Sequence, residues 1–83
     1  MPTPTLEEIR ADITDIVHRV ACLPVEDIDP DRDLMNDLDI DSLSMVEITV
    51  TAEDRYGVKL PDDTLDDLPT LNHVAAYIHG ELA

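Results

Sequence analysis

Asp37-Leu38-Asp39-Ile40-Asp41-Ser42-Leu43-Ser44-Met45-Val46-Glu47-Ile48 passes from alternating acids into the spacing of an amphipathic helix, and Ser42 stands at the changeover. With Asp41 as N-cap, Ser42 occupies the first helical turn. Unpaired backbone N–H groups and the positive end of the macrodipole favour a phosphate there, held covalently or not. An acid-capped helix with serine at its first position is also a common structural arrangement. The tripeptide Asp41-Ser42-Leu43 therefore has to be weighed with the rest of the chain.

The helix opened by Ser42 is predicted to run to about Tyr56 and to end at Gly57, which suits a left-handed C-terminal residue. At about 100° per residue it carries two apolar stripes. Met45, Ile48, Ala52 and Tyr56 share one face, whereas Leu43, Val46 and Val50 lie on roughly the opposite one. A helix in a small bundle normally buries one stripe. The larger set is the natural core face, which leaves Leu43, Val46 and Val50 partly exposed beside Glu47 and Asp54. An apolar strip flanked by acids offers burial for affinity and charge for orientation, as a docking surface requires. The alternative is that a long loop covers this second stripe.

Upstream, Thr5 and Glu8 form a capping box, and Leu6, Ile9, Ile13, Ile16, Val17 and Val20 make one buried stripe. Pro24 ends this first helix near Cys22. A long loop follows to Asp41, with Ile28, Leu34, Met35 and Leu38 available to pin it to the core; loops of such length are often functional. Downstream, Asp62 and Asp63 can cap a short turn or helix through Leu68, and Pro69 stops it. Thr70 then caps a last helix with Leu71, Val74, Ala75 and Ile78 at helical spacing and Gly80 near its end.

The whole chain has 83 residues, which suits one small domain, 1–83, with frayed ends at 1–4 and 80–83. Aliphatics dominate, Phe and Trp are absent and Gly is scarce, so an all-α bundle is favoured over a sheet sandwich. The formal net charge of −15, from 20 acids against 5 Lys and Arg, repels nucleic acid and makes a basic protein partner plausible. Such attraction acts mainly on encounter rate and weakens with salt. A lone Cys22 forms no internal disulfide, and neither a leader nor a long apolar run is evident. A cytoplasmic monomer without a membrane span is the expectation.

Other chemistries fit poorly. Asp37, Asp39 and Asp41 match the first three ligand positions of an EF-hand loop, but Ser42 takes the place of the required Gly and Ile48 that of the bidentate Glu. No dedicated metal site is expected. A serine hydrolase would need a strained elbow such as G-x-S-x-G, which is lacking, and a base beside Ser42. His18, His73 and His79 are not spaced with Cys22 or with one another as a zinc motif requires. Catalysis by this chain alone is not expected.

From Asp37 to Tyr56 the chain resembles the acyl carrier proteins, most closely the discrete carriers of bacterial type II fatty acid synthesis. The stretch Asp37 to Ile48 is similar to actinobacterial members, including the carrier of mycolic acid extension, and the likeness continues through Tyr-Gly-Val-Lys-Leu-Pro, 56–61, into the last helix. The resemblance implies three main helices plus a shorter one before the last. It also implies 4′-phosphopantetheine, attached to Ser42 from coenzyme A by a separate phosphopantetheinyl transferase, with acyl groups carried on its thiol and the growing acyl chain shielded in the core. By position, Asp41 would assist recognition of the serine. Asp37, Asp39, Leu43, Val46, Glu47, Val50, Glu53 and Asp54 would meet basic patches on acyl transferases, ketosynthases, reductases and dehydratases.

Two departures stand out. Many members have Gly where this chain has Asp39, which makes the turn stiffer and more acidic, although actinobacterial carriers share the variant. The chain also ends at Ala83, without the extended tail of the mycolic acid carrier. Discrete polyketide carriers have the same architecture. The alternative of a different class is a small acidic interaction module in which Ser42 merely neighbours a helix cap.

Overall fold

A computed structural model describes residues 3–60 and 70–82. Three helices organise them: α1 (Leu6–Ala21), α2 (Ser42–Tyr56) and α3 (Leu71–Leu82), with one 3-10 turn at Val25–Asp27. The short segment expected at 62–68 lies outside the described residues. Otherwise the helical bundle expected from aliphatic spacing is what the chain forms, and α3 continues through Gly80 to Leu82.

Each boundary has a local cause. The Thr5 hydroxyl accepts the Glu8 N–H at 3.2 Å and starts α1, while Cys22 turns left-handed at φ 58° just before Leu23 and Pro24. Gly57 ends α2 at φ 66° and donates its N–H to Glu53 O at 2.8 Å. Only glycine takes that left-handed position without steric cost, which is the role read from its place in the sequence.

The core is aliphatic. Ile9, Ile13 and Val17 of α1 meet Met45, Ile48 and Ala52 of α2 and Leu71, Val74, Ala75 and Ile78 of α3, all buried. Burial of each large aliphatic contributes about 1.5–3 kcal/mol relative to exposure. α1 packs against both other helices, and α2 and α3 approach one another over far fewer residues. Ile28, Leu34 and Ile40 hold the α1–α2 loop down in the same core, with Met35 and Leu38 half-buried beside them. Here the sequence reading is extended by one anchor, Ile40, the residue that brings the chain to Asp41.

Candidate functional site

The loop that delivers Ser42 is built from aspartates used as local acceptors. Asp33 is its organiser: its carboxylate accepts the N–H groups of Met35 and Asn36 at 3.0 and 2.9 Å, and its carbonyl accepts those of Asp37 and Leu38. These bonds, the Asn36 N–H first, outweigh desolvation and hold the Asp33 carboxyl below its ordinary range. Asp37 returns the favour, its carboxylate accepting the Asp33 N–H at 2.9 Å. Sequence reasoning passed over Asp33, although aspartate two and three residues before otherwise unpaired N–H groups is the signature of such a turn.

Asp39 follows at φ 56°, in the left-handed region. Aspartate tolerates that conformation better than most side chains, and glycine is its natural occupant. Asp39 also rims a small cleft of 160 Å³ between the end of α1, at Val20 and Leu23, and the turn into α2, at Leu38 and Ser44.

Asp41 is the N-cap of α2. Its Oδ1 accepts the Ser44 N–H at 2.7 Å and its carbonyl accepts that of Met45 at 3.0 Å. The bond from the Ser44 N–H, joined by one from the Ser44 side chain, lowers the Asp41 carboxyl from its ordinary value. With two donors of the first turn so occupied, the N–H groups of Ser42 and Leu43 have no partner among the described residues. Ser42 itself is the first helical residue and is exposed. Among the described residues no histidine is hydrogen-bonded to Ser42, as a hydrolytic serine would need. An exposed serine, free N–H groups and the positive end of the macrodipole fit a phosphodiester at this position.

Beyond Ser42 the second stripe of α2 is open to solvent. Leu43 is 78% exposed, Val46 51% and Val50 49%, and with Glu47 they line a groove of 360 Å³. The loop does not cover this stripe. Asp54 is exposed one turn past Val50. Glu53 has a different place: it is half-buried, and its carboxylate accepts the Leu60 N–H at 2.8 Å. Gly57 reverses the chain there and brings that N–H under the helix. The site thus gathers Ser42, Leu43, Val46, Glu47 and Val50 on one outward strip of α2, sets Asp39 and Asp41 at its head, and leaves Asp37 and Glu53 bonded to the chain's own backbone.

Among the described residues no cluster of His, Cys, Asp and Glu is placed to hold a metal ion, and no helix is long and apolar enough to cross a membrane.

An exposed serine at a capped helix start leaves room for an attached group. The family described as "Phosphopantetheine attachment site" matches residues 11–78, and the chain belongs to it. Its prosthetic group is 4′-phosphopantetheine. Among similar proteins, the meromycolate extension acyl carrier protein of Mycobacterium tuberculosis is 51% identical over 74 residues, covering 89% of this chain and 64% of that protein. The acyl carrier protein of Thermobifida fusca is 46% identical over 72 residues, 87% of this chain and 91% of that one. That of Acidothermus cellulolyticus is 43% identical over 72 residues, with 87% and 86% covered. The chain therefore spans 64% of the Mycobacterium tuberculosis meromycolate carrier and 75% of that of Mycolicibacterium smegmatis.

Proposed function

We propose that this chain is an acyl carrier of fatty acid synthesis, with Ser42 as the attachment point of its prosthetic group. The observation that carries this reading is the exposed Ser42 at the Asp41-capped start of α2. When bound, 4′-phosphopantetheine supplies a thiol on which acyl groups travel as thioesters. The chain's own residues do the rest. The Ser42 and Leu43 N–H groups would hold its negative phosphodiester, Asp41 caps the turn that presents the exposed Ser42, and no side chain here is asked to perform a chemical step.

The strip Leu43, Val46 and Val50, with Glu47 and Asp54, is the surface for partner enzymes. Basic patches on a phosphopantetheinyl transferase, and on acyl transferases, ketosynthases, reductases and dehydratases, complement it in charge. Small apolar contact and screened charge together favour short-lived complexes, which suits a carrier that visits many partners. The aliphatic interior bounded by α1, α2 and α3 is the part of the molecule able to shelter an apolar chain.

The deciding experiment is intact mass after incubation with coenzyme A and a phosphopantetheinyl transferase. A single phosphopantetheine adduct on the wild type and none on Ser42→Ala is the expected result. No adduct on either protein would leave an acidic interaction module as the better description.

A further inference from the structure

We infer that residues 29–40 and the first turn of α3 form one cooperative strap, through which displacement of α3 reaches the turn that presents Ser42. At the α3 end, the Asn72 N–H donates to Pro30 O at 3.0 Å, and the Asn72 side-chain amide donates to the Asp31 carboxylate. Asp33 pairs with Thr70 in an isolated antiparallel bridge. Thr70 is also the residue whose hydroxyl accepts the His73 N–H, at 3.1 Å, so the start of α3 and the loop share a joint.

From that joint the path to Ser42 is short. Asp33 holds the turn through Met35, Asn36, Asp37 and Leu38 by its carboxylate and its carbonyl. The next residue, Leu34, is wholly buried and accepts the Ile40 N–H at 3.1 Å. Ile40, also buried, adjoins Asp41, and Asp41 caps the helix that Ser42 begins. Among the described residues few positions of α2 and α3 approach each other directly, and this hydrogen-bonded loop links them in addition to α1. Packed and hydrogen-bonded segments of this kind open as units.

Coupling requires that both ends bias the same element. Leu71 and Val74, in the first turn of α3, sit in the core, so anything that shifts them pulls on Asp31 and Asp33 through Asn72 and Thr70. A change inside the bundle would then be felt at its Ser42 end. The link to prosthetic-group attachment rests on the function proposed above, whereas the strap itself rests on geometry alone.

Amide hydrogen exchange on the full, unmodified chain tests it, with Asn72→Ala and Asp31→Ala removing the same bond from opposite ends. Alanine at 72 favours helix, so α3 is not weakened by propensity. Both variants are expected to speed exchange at Leu38 and Ile40 about fivefold, the size of one lost net hydrogen bond, with less than about twofold change at Ile13 and Val17 of α1. The Ser42 and Leu43 amide resonances should shift as well. Equal acceleration in α1 would mean general destabilisation, and unchanged exchange at Leu38 and Ile40 would confine the effect to the edge of α3; either result overturns the strap. Because no prosthetic group is involved, its failure is distinguishable from failure to form the adduct.

Discussion

Tyr56, the last residue of α2, donates its hydroxyl hydrogen to the carboxylate of Asp12 in the second turn of α1, and Arg55 donates to the other oxygen of the same carboxylate at 3.1 Å. This clasp closes the end of the α1–α2 pair remote from Ser42. Desolvation, then the bond to Asp12, pushes the Tyr56 phenol up to about 12. Burial alone would raise the Asp12 carboxyl, but the Tyr56 and Arg55 bonds overcome it and leave Asp12 below its ordinary value.

Tyr56→Phe should therefore cost about 1 kcal/mol in denaturant unfolding at neutral pH, the net value of one partly exposed hydrogen bond. A raised phenol stabilises the fold while it stays protonated. The contribution is whole below the ordinary value of 10 and is lost as pH climbs towards about 12. The gap between wild type and Tyr56→Phe should close over that interval, and a gap that persists above it would contradict the clasp.

The Asp41 cap has the opposite dependence on pH. Its carboxyl is lowered, so its stabilisation is complete above the ordinary value of 3.8 and disappears as pH falls through the lower folded value. Asp41→Ala should melt at a lower temperature than wild type at pH 7. The two melting temperatures should converge in acid below 3.8.

Asp39, at φ 56°, separates side-chain from backbone effects. Asp39→Val should destabilise by at least about 1 kcal/mol, because a β-branched residue is strained in the left-handed region. Asp39→Gly should be close to neutral, since relief of backbone strain is offset by the greater entropy of the unfolded chain, each about 0.5–1 kcal/mol. Thermal unfolding of the pair provides the comparison, and equal loss in both would assign the effect to the carboxylate instead.

For docking, the informative variant is Glu47→Lys with Asp54→Lys. Both side chains are exposed, so the fold should change by no more than about 0.5 kcal/mol. Pantetheinylation should slow markedly at low ionic strength, and the deficit should shrink as salt is added. Equal rates in dilute buffer would remove the acidic flank from the docking surface.

Much of this architecture is written in short-range pattern. The two stripes of α2, the Thr5 and Asp41 caps, the stop at Pro24 and the turn at Gly57 each follow from residues a few positions apart, and Leu43, Val46 and Val50 are as exposed as their phase on the helix implies. What escaped was long-range or conformational. Asp12 with Tyr56 and Asp31 with Asn72 are more than forty residues apart, and no periodicity relates them. Glu53 reads like any other acid on an exposed helix until the chain folds back and offers it the Leu60 N–H. The left-handed turn at Asp39 carries only the weak signal that aspartate tolerates it.

The uncovered Leu43–Val50 ridge would be a liability on a neutral molecule, since identical greasy edges attract one another. At −15 the copies instead repel, which opposes that association while leaving the ridge uncovered. Acidification towards the isoelectric point of about 4.1 removes that mutual repulsion without hiding the ridge, so turbidity should rise there, the colloidal counterpart of a sticky surface left open.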